Sequence, residues 1–214
     1  MENQNEQSGR KLTKAEIERT ERFKKIAEEF EAKGYKRVDL TVTAAKANVF
    51  GTLTGIGVAT PFGLAFMLTG NLDYQSTSPL VCFLCVLAFV VSIVVHELLH
   101  GTGWALFAKN KFKSIAFGVV WQQLMPYCTC KEPLKKGPYI VGLVLPLIIL
   151  GIIPSIVACI LGSYLLILYG MLMIVCAGGD LLILFLILKT KLKGDVLFLD
   201  HPTDVGLISF VKED

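Results

Sequence analysis

The sequence predicts an all-α polytopic membrane protein with about four transmembrane helices, a small cytosolic-side β element and an N-terminal amphipathic helix. Three observations carry that reading. The 214-residue chain is 53% hydrophobic with a mean hydropathy of +0.59, too apolar for a soluble domain. Four apolar runs, at about 47–68, 79–108, 139–161 and 164–188, are each long enough to cross a bilayer. The Lys and Arg residues fall on alternate connections: 11 in the N-terminal arm, 0 between the first two runs, 6 between the second and third, 0 between the third and fourth, and 4 after the last. By the positive-inside rule both termini and the middle loop are cytoplasmic, in a multi-pass protein of the cell membrane. The expected organisation is a cytosolic arm over 1–46, a four-span membrane domain over 47–188 and a cytosolic tail over 189–214.

Met1 to Arg10 is polar and reads as disordered. Thr13-Lys14-Ala15-Glu16 reads as a capping box, and Phe23, Ile26, Ala27 and Phe30 form the apolar stripe of the helix it opens, with Gly34 as its stop. This basic amphipathic helix reads as lying on the membrane surface or packing on the protein's own cytosolic face, the alternative being a solvated helix. The first 46 residues carry no apolar core of a signal peptide. Tyr35 to Thr43 alternates loosely and reads as a short strand.

In the first span, Gly51, Gly55, Gly57 and Gly63 allow close helix approach and Pro61 predicts a kink. Asn71 to Ser78 is a short polar loop. The second span, roughly 30 residues against the ~20 needed to cross, must tilt or protrude. Its Cys82-x-x-Cys85 has half the spacing of a zinc knuckle with no second half, and reads as packing. In the basic loop that follows, Ile115, Phe117, Val119 and Trp121 alternate with other residues, predicting a β-hairpin that dips back and offers a strand edge to an extended peptide. Cys128-Thr129-Cys130 reads as a turn with two small residues, the alternative being metal binding. The third span holds Pro146 and Pro154. The fourth is interrupted by Gly178-Gly179-Asp180, and Gly162-Ser163 joins the two as a tight hairpin. Asp195 to Phe210 is partly alternating and reads as a strand at the membrane face. The six cysteines form no disulfide framework, and four of them sit in apolar segments as small hydrophobes.

The second span carries His96-Glu97-Leu98-Leu99-His100, an H-E-x-x-H motif. Residues four apart lie on one helix face, so both imidazoles can reach a single Zn²⁺, while Glu97 lies beside it, placed to take a proton from the attacking water. Two of the chain's 3 histidines form this pair. The alternative, ordinary polar contacts between helices, is weak because ionisable side chains in an apolar segment cost several kcal/mol. A catalytic zinc takes three protein ligands and one open position. Asp180 is the only other acidic residue in the spans. Glu97 lies 11 residues before the cytosolic end of its span and Asp180 lies 8 before its own. At 1.5 Å per residue both are roughly 12–17 Å deep and can meet. The alternative, a buried Asp paired with a base, finds no obvious basic partner in the spans. His201, in Asp200-His201-Pro202, reads as a surface histidine in a turn, or as an extra or regulatory ligand.

These residues resemble a known family. His96-Glu97-Leu98-Leu99-His100, Pro126-Tyr127-Cys128-Thr129-Cys130-Lys131-Glu132-Pro133, Gly178-Gly179-Asp180 and Asp200-His201-Pro202 resemble the putative zincin peptidases, small bacterial membrane proteins, over most of the chain from about Tyr35. More distantly the chain is similar to the site-2 intramembrane metalloproteases, which place H-E-x-x-H on one membrane helix and an Asp ligand on a later one. The resemblance implies His96, His100 and Asp180 as zinc ligands and Glu97 as general base. The chain departs from the site-2 pattern around the Asp, with Gly178-Gly179 before it and Leu181 after it in place of an upstream Asn and Pro and a following Gly.

The expected function is that of a zinc-dependent, membrane-embedded endopeptidase acting on a membrane-associated protein or peptide, with the lipid bilayer as its other partner. The first alternative is a non-enzymatic metal-binding membrane protein, a transport or sensor component. Glu97 between the histidines favours hydrolysis, and four spans leave little room for a path across both leaflets. The second is a scaffold with a degenerate site, against which the complete ligand set speaks. Nucleic-acid binding has little support, since the basic residues follow membrane topology rather than a recognition motif.

Overall fold

A computed structural model describes residues 13–69, 78–120 and 125–213. The polar stretch Met1 to Arg10, nearly all of the loop after the first span, and Trp121 lie outside the described residues. Helix α1 (Lys14–Ala32) opens on the expected capping box, with the Thr13 side chain on the Glu16 N–H and the Glu16 carboxylate on the Thr13 N–H. Gly34, at φ +85°, turns the chain out of the helix, and the Tyr35 N–H reaches back to the Phe30 carbonyl.

Helices α2 (Ala44–Leu68) and α3 (Pro79–Ala105) start at Thr43 and Ser78, whose side chains accept the N–H of the residue three further on. The third apolar run, Lys136–Leu161, is one long helix in three pieces: α4 (Lys136–Pro146), a π-helical stretch (Leu147–Ile152) and α5 (Ile153–Leu161). Pro146 and Pro154 bring no N–H to the helical ladder, and the wide turns between them absorb the break. The fourth run is broken where Gly178 was expected to interrupt it. Helices α6 (Tyr164–Cys176) and α7 (Gly178–Lys189) are bent by 49° about Ala177. Three helices are long and apolar enough to cross a membrane, or four if the bent pair is one span. In α3 only 6% of the most apolar window is buried, and Phe83, Val86, Val90 and Val94 stand exposed, a surface suited to lipid rather than water. The chain is thus a mostly helical membrane protein.

The β structure is larger than the sequence suggests. β1 (Lys36–Val42), β4 (Leu134–Lys135), β5 (Asp195–Asp200) and β6 (Val205–Lys212) form a four-stranded antiparallel sheet in the order β1-β6-β5-β4. β1 pairs with β6 from Lys36 opposite Val211 to Val42 opposite Val205. The arm and the tail, read from sequence as separate segments, therefore join in one sheet, with one strand from the arm, two from the tail and β4 from the middle loop. β1 runs directly into α2 and β4 into α4, which seats the sheet at one end of the bundle. Both faces of β5 and β6 are covered. Leu199, Ile208 and Phe210 take the α1 stripe of Phe23, Ile26, Ala27 and Phe30, while Phe198 and Leu207 face Trp104 and Tyr139 of the bundle. Of the readings open for α1, packing on the protein's own surface is the one observed.

Two contacts fix the parts that hold the site. α7 meets α2 glycine to glycine: a Cβ on Gly178 would strike the Gly51 carbonyl. A hairpin, β2 (Ile115–Val120) and β3 (Met125–Cys130), is tied to the end of α3 by Glu132. The Glu132 carboxylate accepts from Lys109 N–H at 2.9 Å, Asn110 Nδ2 at 2.8 Å and the Ser114 hydroxyl. Burial opposes its charge, but these donors outweigh it and hold the carboxyl below its ordinary range.

Gly178→Ala should lower the melting temperature in detergent by several degrees, since the new methyl forces two backbones apart. Gly57→Ala, which meets nothing within 4 Å, should not. The Glu132 contribution is complete above the unfolded carboxyl pKa, about 4.3, and disappears as pH falls through the lower folded value. Thermal melts of Glu132→Gln should therefore lie below wild type at pH 7, with the gap closing on acidification.

Candidate metal centre

On α3, His96, His100 and Trp104 follow at four-residue steps and share one face. The His96 and His100 rings lie 4.8 Å apart, and Trp104 stacks on His100 at 5.3 Å and 14°. The break at Ala177 creates a helix N-terminus with Asp180 in its first turn, where free N–H groups and the helix dipole favour a carboxylate. The close approach of Gly178 to Gly51 seats that turn in the bundle.

The three side chains converge. His96 Nε2 is 3.1 Å from Asp180 Oδ2, His100 Nε2 is 3.3 Å from Asp180 Oδ1, and the two Nε2 atoms are 3.1 Å apart. Their side chains are 12%, 6% and 20% exposed in the order His96, His100, Asp180. Tetrahedral zinc bonds of about 2.0–2.1 Å put donor atoms roughly 3.3 Å from one another, so the spacing fits the ion. Among the described residues this is the one group of three or more His, Cys, Asp or Glu that could hold a metal ion.

The imidazole of His100 is oriented from behind. Its Nδ1 lies 2.9 Å from the Gly142 carbonyl oxygen. A carbonyl only accepts, so Nδ1 carries the proton and Nε2 presents a lone pair to the trio. That lone pair faces a carboxylate oxygen, an arrangement that calls for a cation or a proton between them. The Gly142 carbonyl is free for this role because the residue four further on is Pro146, which has no N–H to return to it. The Leu147 N–H bonds Val144 instead. Gly142 itself leaves room for Trp104, whose indole a Cβ there would strike.

From Trp104 the contacts continue outward. The indole Nε1–H donates to the Tyr139 carbonyl at 3.0 Å, and the Tyr139 hydroxyl donates to Asp200 Oδ1 at 2.5 Å. Asp200 Oδ2 also accepts the Cys130 N–H at 3.3 Å. Burial pushes the Asp200 carboxyl above its ordinary range, against both bonds. Asp200 thereby ties β5 to α4 and to β3. Glu97, half-buried, faces the backbone N–H of Cys128 on β3, and Phe117 of β2 packs where Gly101 has no side chain.

The Cys128-x-Cys130 pair, expected in a turn, lies in strand β3. Pro126 is tolerated there because Lys131 bonds Ser114 across the hairpin, which puts the even-numbered residues of β3 on its outer edge. Burial raises both thiols, Cys130 to about 11 and Cys128 further, so they remain protonated as small core residues. His201 is not brought to the trio. It sits at the β5–β6 turn with its Nδ1 accepting the Asp204 N–H at 2.8 Å. Sequence reasoning passed over Trp104, Tyr139, Gly142 and the role of Pro146. The 96–100–104 spacing and the Gly142–Pro146 spacing were the available signals.

Fold and site together define a mostly helical protein, with three or four helices long and apolar enough to cross a membrane, that carries a candidate metal centre between them. Residues 89–193 match the model of the family described as "Putative zincin peptidase", a name that points to metallopeptidase activity and zinc. The family resemblance is borne out over that stretch, which holds the H-E-x-x-H motif, the Cys pair and Asp180, and ends before Asp200-His201-Pro202. No curated protein and no solved structure matches the chain.

Pro146→Ala would return an N–H to the Gly142 carbonyl and make His100 share its acceptor. Zinc affinity, measured by competition with a chromogenic chelator, should fall about tenfold. The melting temperature of the metal-free protein should hold or rise, because alanine favours the helix.

Proposed function

We propose that the protein is a zinc-dependent, membrane-embedded endopeptidase that cleaves a membrane-associated protein or peptide. The observation that carries the reading is the meeting of His96, His100 and Asp180 within 4.8 Å, with Glu97 beside them facing a strand edge. On this reading Nε2 of His96, Nε2 of His100 and the Asp180 carboxylate hold the ion. When bound, zinc supplies Lewis acidity, polarising the scissile carbonyl and acidifying a water.

The chain's own residues do the rest. Glu97 accepts the proton of the attacking water and delivers it to the leaving amine, while the Gly142 carbonyl keeps His100 in its ligating tautomer. An extended substrate would lie along the outer edge of β3 beside Glu97 by taking over the Cys128 N–H that Glu97 faces, since Pro126 has no N–H and Asp200 holds that of Cys130. Four spans with both termini, the sheet and the hairpin in the cytoplasm agree with the basic-residue count and put the cleft's water supply on that side.

Purified protein in detergent should bind about one zinc per chain. His96→Ala and Asp180→Ala should each lose it. Glu97→Gln should keep the metal yet lower cleavage of a quenched, extended apolar peptide by at least about 10³-fold, as expected when a general base is lost beside a polarised carbonyl. Full turnover by Glu97→Gln would remove its assigned role, and properly folded wild type without metal would sink the peptidase reading.

A further inference from the structure

Outside the metal centre, a small, solvent-open cleft lies between α1, the end of β3 and the β5–β6 turn. Arg19, Arg22 and Lys131 line it, together with Thr129, Asp200 and His201. Among the described residues Arg19 and Arg22 form no ion pair. The Arg19 guanidinium lies over the Tyr127 ring at 4.3 Å, which fixes its plane and leaves its edge to donate. Its Nε is buried without a hydrogen-bond partner, an unsatisfied donor of a kind that native folds seldom leave. Among the described residues Lys131 Nζ bonds only a neutral acceptor, the Lys113 carbonyl at 3.0 Å. The carboxylate next to it, Glu132, is turned to Lys109, Asn110 and Ser114. His201 takes the Thr203 and Asp204 N–H groups on Nδ1, so its ring proton sits on Nε2. The carboxylates near His201 are Asp204, at 3.5 Å and 66% exposed, and Asp39 of β1. Asp200 spends both oxygens on Tyr139 and Cys130.

We propose that this cleft binds a phosphate-bearing anion, with the Arg19 and Arg22 forks and the Lys131 ammonium as its cationic donors and His201 Nε2–H as a neutral one. Three cations against the single carboxylate of Asp200 leave a net charge of +2 in the lining. A carboxylate ligand would neutralise half of that, whereas a phosphate monoester carries about −1.5 to −2 at neutral pH and offers three acceptor oxygens to planar forks. The phosphate can come from solution or from a lipid headgroup, since the sheet seats the cleft beyond one end of the membrane helices.

The test is a thermal titration of the full chain in phosphate-free detergent buffer, with inorganic phosphate against chloride at matched ionic strength. In parallel, the protein is melted in phosphatidylcholine nanodiscs with and without phosphatidic acid. Wild type should show a saturable rise in melting temperature. His96→Ala should show the same rise, which separates this cleft from anion binding at the metal centre. Arg22→Gln and Arg19→Lys should each weaken the apparent affinity by about tenfold. A rise with phosphatidic acid alone assigns the ligand to lipid, and a rise with free phosphate assigns it to a soluble phosphate; either supports the site. No rise in either arm overturns the proposal whatever the variants do. So does a rise that is unchanged in both Arg variants or lost in a folded His96→Ala.

Discussion

An imidazole that offers Nε2 to a metal must give its Nδ1 proton to an acceptor, and between two apolar helices acceptors are scarce because each backbone carbonyl is normally taken by the N–H four residues on. The chain meets this constraint with a proline. Pro146 withholds the N–H that would claim the Gly142 carbonyl, and His100 takes it. Much else follows from this bond. α4 must lie close to α3, which Gly103 and Gly142 permit: a Cβ on Gly103 would lie 2.6 Å from Gly142 Cα. Trp104 fills the space Gly142 leaves, and the rings His96, His100, Trp104, Tyr139 and Phe198 form a column from the trio to the sheet, at centroid steps of 4.8, 5.3, 5.6 and 5.9 Å.

The carboxylate side obeys a second constraint. A charged Asp in an apolar run costs several kcal/mol unless something compensates it. The broken span supplies part of the compensation by opening a new helix just before Asp180, and Gly178 lets that helix end sit against Gly51 of α2. The remainder has to come from the histidines and from whatever lies between them and Asp180. The arrangement is costly with the trio empty of positive charge and favourable with a cation, which is how a site built from few residues can select for being filled.

The two constraints explain which parts were legible in the sequence. The spans were visible because lipid imposes a length and a composition, and the trio because ionisable residues inside spans are so few that His96, Glu97, His100 and Asp180 had almost no competitors. The supporting residues were harder. Tyr139 and Trp104 look like any other aromatic residue in a membrane segment, and their roles come from packing. Strands were expected at Tyr35–Thr43 and Asp195–Phe210, but the division of the second into β5 and β6 and the pairing of β1 with β6 were missed for a different reason. β1 meets β6 across more than 160 residues of chain, and long-range pairing leaves no local mark beyond alternation, which two-sided burial by α1 and the bundle then blurs in β6. Cys128 and Cys130 were read as two small residues of a turn, whereas they lie in β3, where the outer edge of a two-stranded hairpin tolerates Pro126.

The sheet also bears on how a site in apolar surroundings could work. Hydrolysis there needs a strand edge held still beside Glu97 and water admitted from one side only. A hairpin of two short strands is marginal alone. Here the hairpin is anchored at three points: to the end of α3 through Glu132, to α3 itself through Phe117 of β2 packing at Gly101, and to the sheet through Asp200 on the Cys130 N–H of β3. Asp200 grips Tyr139 with its other oxygen, and Tyr139 belongs to the helix whose Gly142 carbonyl orients His100. One buried carboxylate thus registers the strand edge against that helix, α4. On the proposed reading, the cytosolic layer built from the two ends of the chain sets the geometry in which Glu97 and the trio face the same peptide bond.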